Sequence, residues 1–261
     1  MNSGPDVSHN LSVAGGLLGE AAVAGAVLAV LPENFAIMGA KEADRLAVAE
    51  TPGAGPIQDA MAELAQKLSL WIVAGTVPIR GRSDKRVAPA SLVFDANGKQ
   101  VARYDKIHLF DVEVPEKREI YRESATFEPG TEPILVETPA GVLGLSVCYD
   151  VRFPELYRQL SARGATLLTV PAAFTVPTGQ AHWDVLLRAR AVENLCYVRA
   201  AAQWGRHANG RETYGDALIV DFWGRVLARQ ASGVGVVLAE VDPVAQAEVR
   251  AGFPALKHRV L

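Results

Sequence analysis

Short apolar runs that stop abruptly at a turn-former or a polar residue constrain this chain most. Val27-Leu28-Ala29-Val30-Leu31 ends at Pro32, Val142 to Val147 ends at Cys148, and Thr166 to Val170 ends at Pro171. Runs this short with no polar alternation read as strands covered on both faces, so layers must lie above and below them. Between them the spacing becomes helical. Asn10 to Gly25 reads as a helix. Ile57 to Leu70 reads as a second, with Ile57, Met61, Leu64 and Leu68 on one face and Pro56 just before its start. Glu155 to Arg163, closed by Gly164, and Ala181 to Asn194 read as two more. Further strands are predicted at Trp71–Val77, Ser91–Asp95, Val101–Tyr104, Tyr197–Gln203, Ala217–Asp221, Val226–Arg229 and Val234–Val241. The Asn97-Gly98 pair between Ser91–Asp95 and Val101–Tyr104 predicts a hairpin. Alternation of this kind along the whole chain predicts α/β layers in one domain over residues 1–261, with enough apolar sequence, 49%, to fill a core.

Charge and cysteine usage narrow the function. The net charge is −3 and no basic block occurs, which argues against a nucleic-acid partner. The longest apolar stretch, Ala21 to Pro32, contains a glycine and is too short for a bilayer, so no membrane partner is expected. Met1 to His9 lacks the basic start of a signal peptide. Cys148 and Cys196 lie far apart with no C-x-x-C, which argues against a disulfide framework or a zinc site and predicts a reducing cytoplasm.

Three residues suggest chemistry. Cys148 ends a buried strand, and Tyr149 to Glu155 then turns into a helix, so the sulfur is exposed where a backbone N–H can face a developing oxyanion. Glu33 follows the Val27–Leu31 strand; alone it fits a base near the sulfur, but more often a solvated loop carboxylate. Lys106 follows the hairpin; alone it fits a thiolate partner or a surface lysine with its stem on the sheet.

The ordered set Leu31-Pro32-Glu33, then Asp105-Lys106-Ile107-His108-Leu109-Phe110-Asp111, then Cys148-Tyr149-Asp150 with Arg152-Phe153-Pro154-Glu155 resembles the nitrilase (carbon–nitrogen hydrolase) superfamily. The resemblance runs from the Asn10 helix to Val241. It implies an α-β-β-α four-layer sandwich, no cofactor, no metal, and a Glu-Lys-Cys triad of Glu33, Lys106 and Cys148, with Glu123 as a second glutamate. His108 to Glu113, His182 to Ala191 and Ala200 to His207 are most similar to the branch of deaminated glutathione amidases and ω-amidases. Hydrolysis of a small-molecule amide through a cysteine thioester is then the implied reaction. An ω-amidase acting on 2-oxo-dicarboxylic monoamides, or a catalytically impaired scaffold, is the alternative. Tyr149, Phe174, Thr175, His182 and Trp183 are expected at the substrate pocket, and Arg188 and Arg190 in structural ion pairs. The resemblance also implies a homo-oligomer, a dimer or larger. Two departures stand out. Gly215-Asp216-Ala217 and Asp221-Phe222-Trp223-Gly224 replace the family's turns, and the chain opens where the family has finished its first strand. That strand is expected to be missing, leaving an open edge beside Val27–Leu31.

Overall fold

A computed structural model describes residues 1–41, 43–83, 85–114 and 119–260. Helix α1 (Val7–Val23) starts three residues earlier than the sequence pattern suggests, because Asp6 caps it by accepting from the His9 N–H at 3.0 Å. Asn10, Ala14, Leu18 and Ala21 form its buried face. Strand β1 (Leu28–Val30) follows, then the short helix α2 (Asp44–Ala47) and helix α3 (Pro56–Leu68). Glu50 accepts from the N–H groups of Ile57 and Gln58 and places its charge at the start of α3.

Strands β2 (Trp71–Arg80), β3 (Val87–Phe94) and β4 (Gln100–Asp105) join β1 in a sheet of order β1-β2-β3-β4, parallel at β1–β2 and antiparallel elsewhere. A hairpin of β5 (Asp111–Val114) and β6 (Glu119–Arg122) leaves this sheet. The second sheet takes β7 (Leu135–Thr138), β8 (Gly141–Gly144), β9 (Leu167–Thr169) and β10 (Tyr197–Ala200). A second hairpin, β11 (Trp204–Arg206) with β12 (Glu212–Tyr214), is followed by β13 (Ala217–Val220) and β14 (Val226–Gln230), which complete that sheet in the order β14-β13-β10-β9-β8-β7. Helices α4 (Pro154–Ala162), α5 (Val176–Asn194) and α6 (Pro243–Gly252) belong to this half.

Side-chain alternation along β2 builds the layers. Val73 points toward the second sheet and meets the cluster containing Leu143, Leu167, Val198 and Leu218. Ile72 and Ala74 point the other way, onto Ala14, Leu18, Ile57 and Met61 of α1 and α3. Leu156, Leu160, Leu187 and Ala191 cover the outer face of the second sheet from α4 and α5. The result is the four-layer α-β-β-α sandwich. Arg188 donates to the Gly224 carbonyl and pairs with Asp184, and Arg190 pairs with Glu193 and donates to the Val151 carbonyl, as expected of structural arginines.

Other elements also differ from the sequence reading. Helix α5 starts at Val176 rather than Ala181, because Pro177 fits the first helical turn, where no intrahelical N–H bond is lost. Strand β8 ends at Gly144, because the next backbone and side-chain groups take other partners: Ser146 Oγ donates to the Thr169 carbonyl at 2.6 Å and Val147 N–H to Asp150 Oδ2 at 2.8 Å. Val234–Val241 is not a strand. Among the described residues nothing pairs with it in a ladder, and a cavity of about 810 Å³ separates it from β1. Leu18, Leu28, Val30, Leu218, Val236 and Met1 line this cavity, so β1 and Val234–Val241 face each other with unpaired edges. Half-buried Arg199 also lines it, with its Nη1 lacking a partner among the described residues; burial lowers that guanidinium to about 10.

Candidate active site

Close backbone packing places Glu33. A Cβ on Gly75 of β2 would lie 1.9 Å from the Pro32 carbonyl oxygen, so only glycine lets β2 approach the segment that carries Glu33. Asn34 then takes a left-handed conformation, φ 57°, and its N–H donates to Thr76 Oγ1 at 2.8 Å. Gln203 Nε2 donates to the Glu33 carbonyl at 3.1 Å and to Ser3 Oγ at 2.8 Å, tying the loop to the amino terminus. Lys106 follows β4 directly. Its N–H donates to the Pro89 carbonyl at 3.2 Å, and its carbonyl accepts from Gly130 N–H at 3.0 Å. A Cβ on Gly130 would stand 2.2 Å from the Asp105 carbonyl oxygen, so glycine is required there too.

Cys148 opens a short 3-10 helix, Cys148–Arg152, with φ 50°, a value uncommon for a residue bearing a Cβ. Its N–H donates to the Pro171 carbonyl at 2.8 Å. Asp150, fully buried, fixes this turn. One of its oxygens accepts from Val147 N–H at 2.8 Å and Tyr104 hydroxyl at 2.7 Å, and the other from His108 N–H at 3.0 Å with His108 Nδ1 at 2.7 Å. The His108 ring stacks on Phe153 at 3.7 Å. Asp150 thus joins the turn of Cys148 to the strand that delivers Lys106.

The charged groups meet behind the sulfur. Lys106 Nζ, fully buried, donates to Glu33 Oε1 at 2.9 Å and Glu123 Oε2 at 2.8 Å. Glu33 Oε2 accepts from Ala173 N–H at 3.0 Å, and Glu123 Oε2 from Phe110 N–H at 2.8 Å. Burial works against the Lys106 ammonium, but Glu123 and Glu33 outweigh it and hold the group well above the ordinary lysine value. Burial and the Glu33 charge push the Cys148 thiol well up, against the pull of Lys106. The resting site therefore holds an ammonium and a neutral thiol.

Glu33, Glu123 and Cys148 line one narrow cleft with Phe110, Tyr149, Phe174, Thr175 and Arg211. Tyr149 stands edge-on to Phe110 at 5.0 Å. Two pocket expectations do not hold. Trp183 is buried beneath Phe174, rings 4.7 Å apart, with its Nε1 donating to the Asp216 carbonyl at 2.8 Å. His182 lies on the outside of α5 against Arg152. The early start of α5 explains both: the two residues fall in its second turn rather than at the cap facing the cleft. Sequence reasoning also missed Asp150 and Arg211. Asp150 sits inside the quoted Cys-Tyr-Asp motif, so its position was visible and only its role was not. Arg211 carried no local signal.

A buried thiol beside a lysine braced by two carboxylates, at one end of an α-β-β-α sandwich, defines an amide-hydrolase class. The family model described as carbon–nitrogen hydrolase matches residues 1–251, and the chain belongs to that family; it is an amidase. A Synechocystis sp. protein named deaminated glutathione amidase is 46% identical over 264 residues, spanning all of this chain and 96% of its own. A Homo sapiens protein of the same name is 40% identical, over 99% of this chain and 80% of its own. The crystal structure of the C. elegans NitFhit protein superposes with a TM-score of 0.93 at 39% identity, covering 100% of this chain and 63% of that one.

Proposed function

We propose that this chain hydrolyses an amide of a small carboxylic acid, with deaminated glutathione as the leading substrate, through a thioester on Cys148. The observation that carries the mechanism is the buried Lys106 ammonium hydrogen-bonded to both Glu33 and Glu123, the two carboxylates that line one cleft with Cys148, whose thiol burial and the Glu33 charge push up. A neutral thiol needs a base at the moment of attack, and Glu33 is that base. Glu33 takes the sulfur proton as the C–S bond forms. The carbonyl electrons move to oxygen, where Lys106 and the Tyr149 N–H stabilise the negative charge. Lys106 spends two of its three donors on Glu33 and Glu123, which leaves one for that oxygen. Glu33 then gives the proton to the leaving nitrogen, the C–N bond breaks, and ammonia or an amine departs. Water loses a proton to Glu33, attacks the thioester, and the acid leaves as sulfur regains its proton. Glu123 positions the lysine.

Support for the substrate comes from the names of the relatives and the likeness in the three stretches around His108, His182 and Gln203. The proposed setting is a cytoplasmic homo-oligomer with no nucleic-acid partner; two free cysteines fit it, and no helix among the described residues is long and apolar enough to cross a membrane. Acid release from a panel of short amides tests the reading. Fastest turnover of deaminated glutathione is expected; fastest turnover of a 2-oxo-dicarboxylic monoamide would shift the assignment to ω-amidase, and no turnover of any amide would refute it.

A further inference from the structure

Arg211 plays no part in the reaction above, yet it lines the same cleft as Glu33, Glu123 and Cys148. It immediately precedes strand β12 and is firmly held: its N–H donates to Asn209 Oδ1 at 3.0 Å and its carbonyl accepts from His207 N–H at 2.8 Å. His207 is itself fixed between the Ser3 carbonyl and Thr213 Oγ1. The guanidinium is set by two contacts. Nη2 donates to the Ala173 carbonyl at 2.7 Å, and the guanidinium carbon stands 5.2 Å from the centre of the Tyr121 ring. Ala173 is also the residue whose N–H holds Glu33. The cation therefore sits one peptide unit away from the base.

Two features of this arginine ask for an anion. Its Nε is buried without a hydrogen-bond partner, and among the described residues no carboxylate forms an ion pair with it. A buried donor left unpaired is costly unless a ligand completes it. The charge balance points the same way. Lys106 contributes one positive charge, and Glu33 and Glu123 one negative each, so these groups alone repel an anionic substrate. Arg211 brings the sum to zero. Arg152, half-buried, is a poorer candidate because its guanidinium already has partners: it stands 5.8 and 5.6 Å from the centres of the Tyr149 and Phe174 rings and meets His182 Nδ1 at 3.3 Å.

We propose that Arg211 binds a carboxylate of the substrate, so that the cleft selects amides carrying an anionic group over neutral ones. This deepens the amidase reading and rests on it. A planar guanidinium can meet a carboxylate with two parallel hydrogen bonds, which a lysine cannot reproduce.

The test compares an amide-bearing monoacid with its methyl ester in wild type, Arg211→Gln and Arg211→Lys. Arg211→Gln is expected to raise KM for the acid at least about tenfold, the loss typical of a hydrogen bond to a charged group. Its kcat on the acid, and both constants on the ester, should stay within about threefold. Arg211→Lys should fall between. Equal losses on acid and ester, or an unchanged KM for the acid, would overturn the proposal. A second measurement does not depend on turnover: calorimetric binding of the product acid to Cys148→Ala, with and without Arg211→Gln. A loss of at least about tenfold in affinity supports the clamp, and equal affinities reject it. If wild type hydrolyses neither amide, the amidase reading fails and the binding experiment alone decides the role of Arg211.

Discussion

Cys148 occupies a left-handed backbone position and is 7% exposed, two conditions that a merely structural cysteine does not need. Its motif marked it in the sequence as the proposed nucleophile, and Lys106 and Glu33 became legible as its proposed partners only in company, since each alone fits a surface charge. The contacts that lock them together were not legible. Asp150 acts across 42 residues on His108, and Gln203 across 170 on Glu33, separations that no local pattern reports. Cys148→Ala is expected to abolish amide hydrolysis while the melting temperature stays within a few degrees, measured by acid release and thermal denaturation. Cys196→Ala should keep its activity. Cys196 Sγ contacts the Ala165 carbonyl in the core, and burial pushes this thiol up to about 12, which leaves it unreactive near neutral pH.

Elements were read best where the chain is apolar and covered. The strands at Trp71 and Ala217 were found because near-complete burial leaves a largely apolar run, and the strand at Tyr197 despite its half-buried Arg199. Hairpins β5–β6 and β11–β12 were missed because they are short, and β11–β12 is polar and only partly covered. Val234–Val241 has strand composition but no ladder partner among the described residues, and composition alone cannot supply one. A cavity of about 810 Å³ lies between it and β1. Gly75→Ala should destabilise by several kcal/mol, because its Cβ has no room beside Pro32; chemical denaturation measures this.

At the scale of the whole molecule, the layers hold several ionisable groups neutral. Burial raises Tyr104, Tyr157 and Cys196 above their ordinary values. A group raised on folding stabilises fully below its unfolded value and loses that contribution as pH climbs to the folded one. For Cys196 this window runs from pH 9 to about 12. The melting temperature should therefore fall across that range, and fall less steeply in Cys196→Ala. The proposed homo-oligomer is checked by light scattering, with at least twice the 27.8 kDa chain mass expected and a monomer counting against it. The central claim is that a carbon–nitrogen bond breaks through a thioester on Cys148, and mass spectrometry of enzyme quenched in acid during turnover tests it most directly. The expected result is an added acyl mass on the peptide containing Cys148, absent from Cys148→Ala; continued acid release by Cys148→Ala, with no adduct on the wild-type peptide, would contradict it.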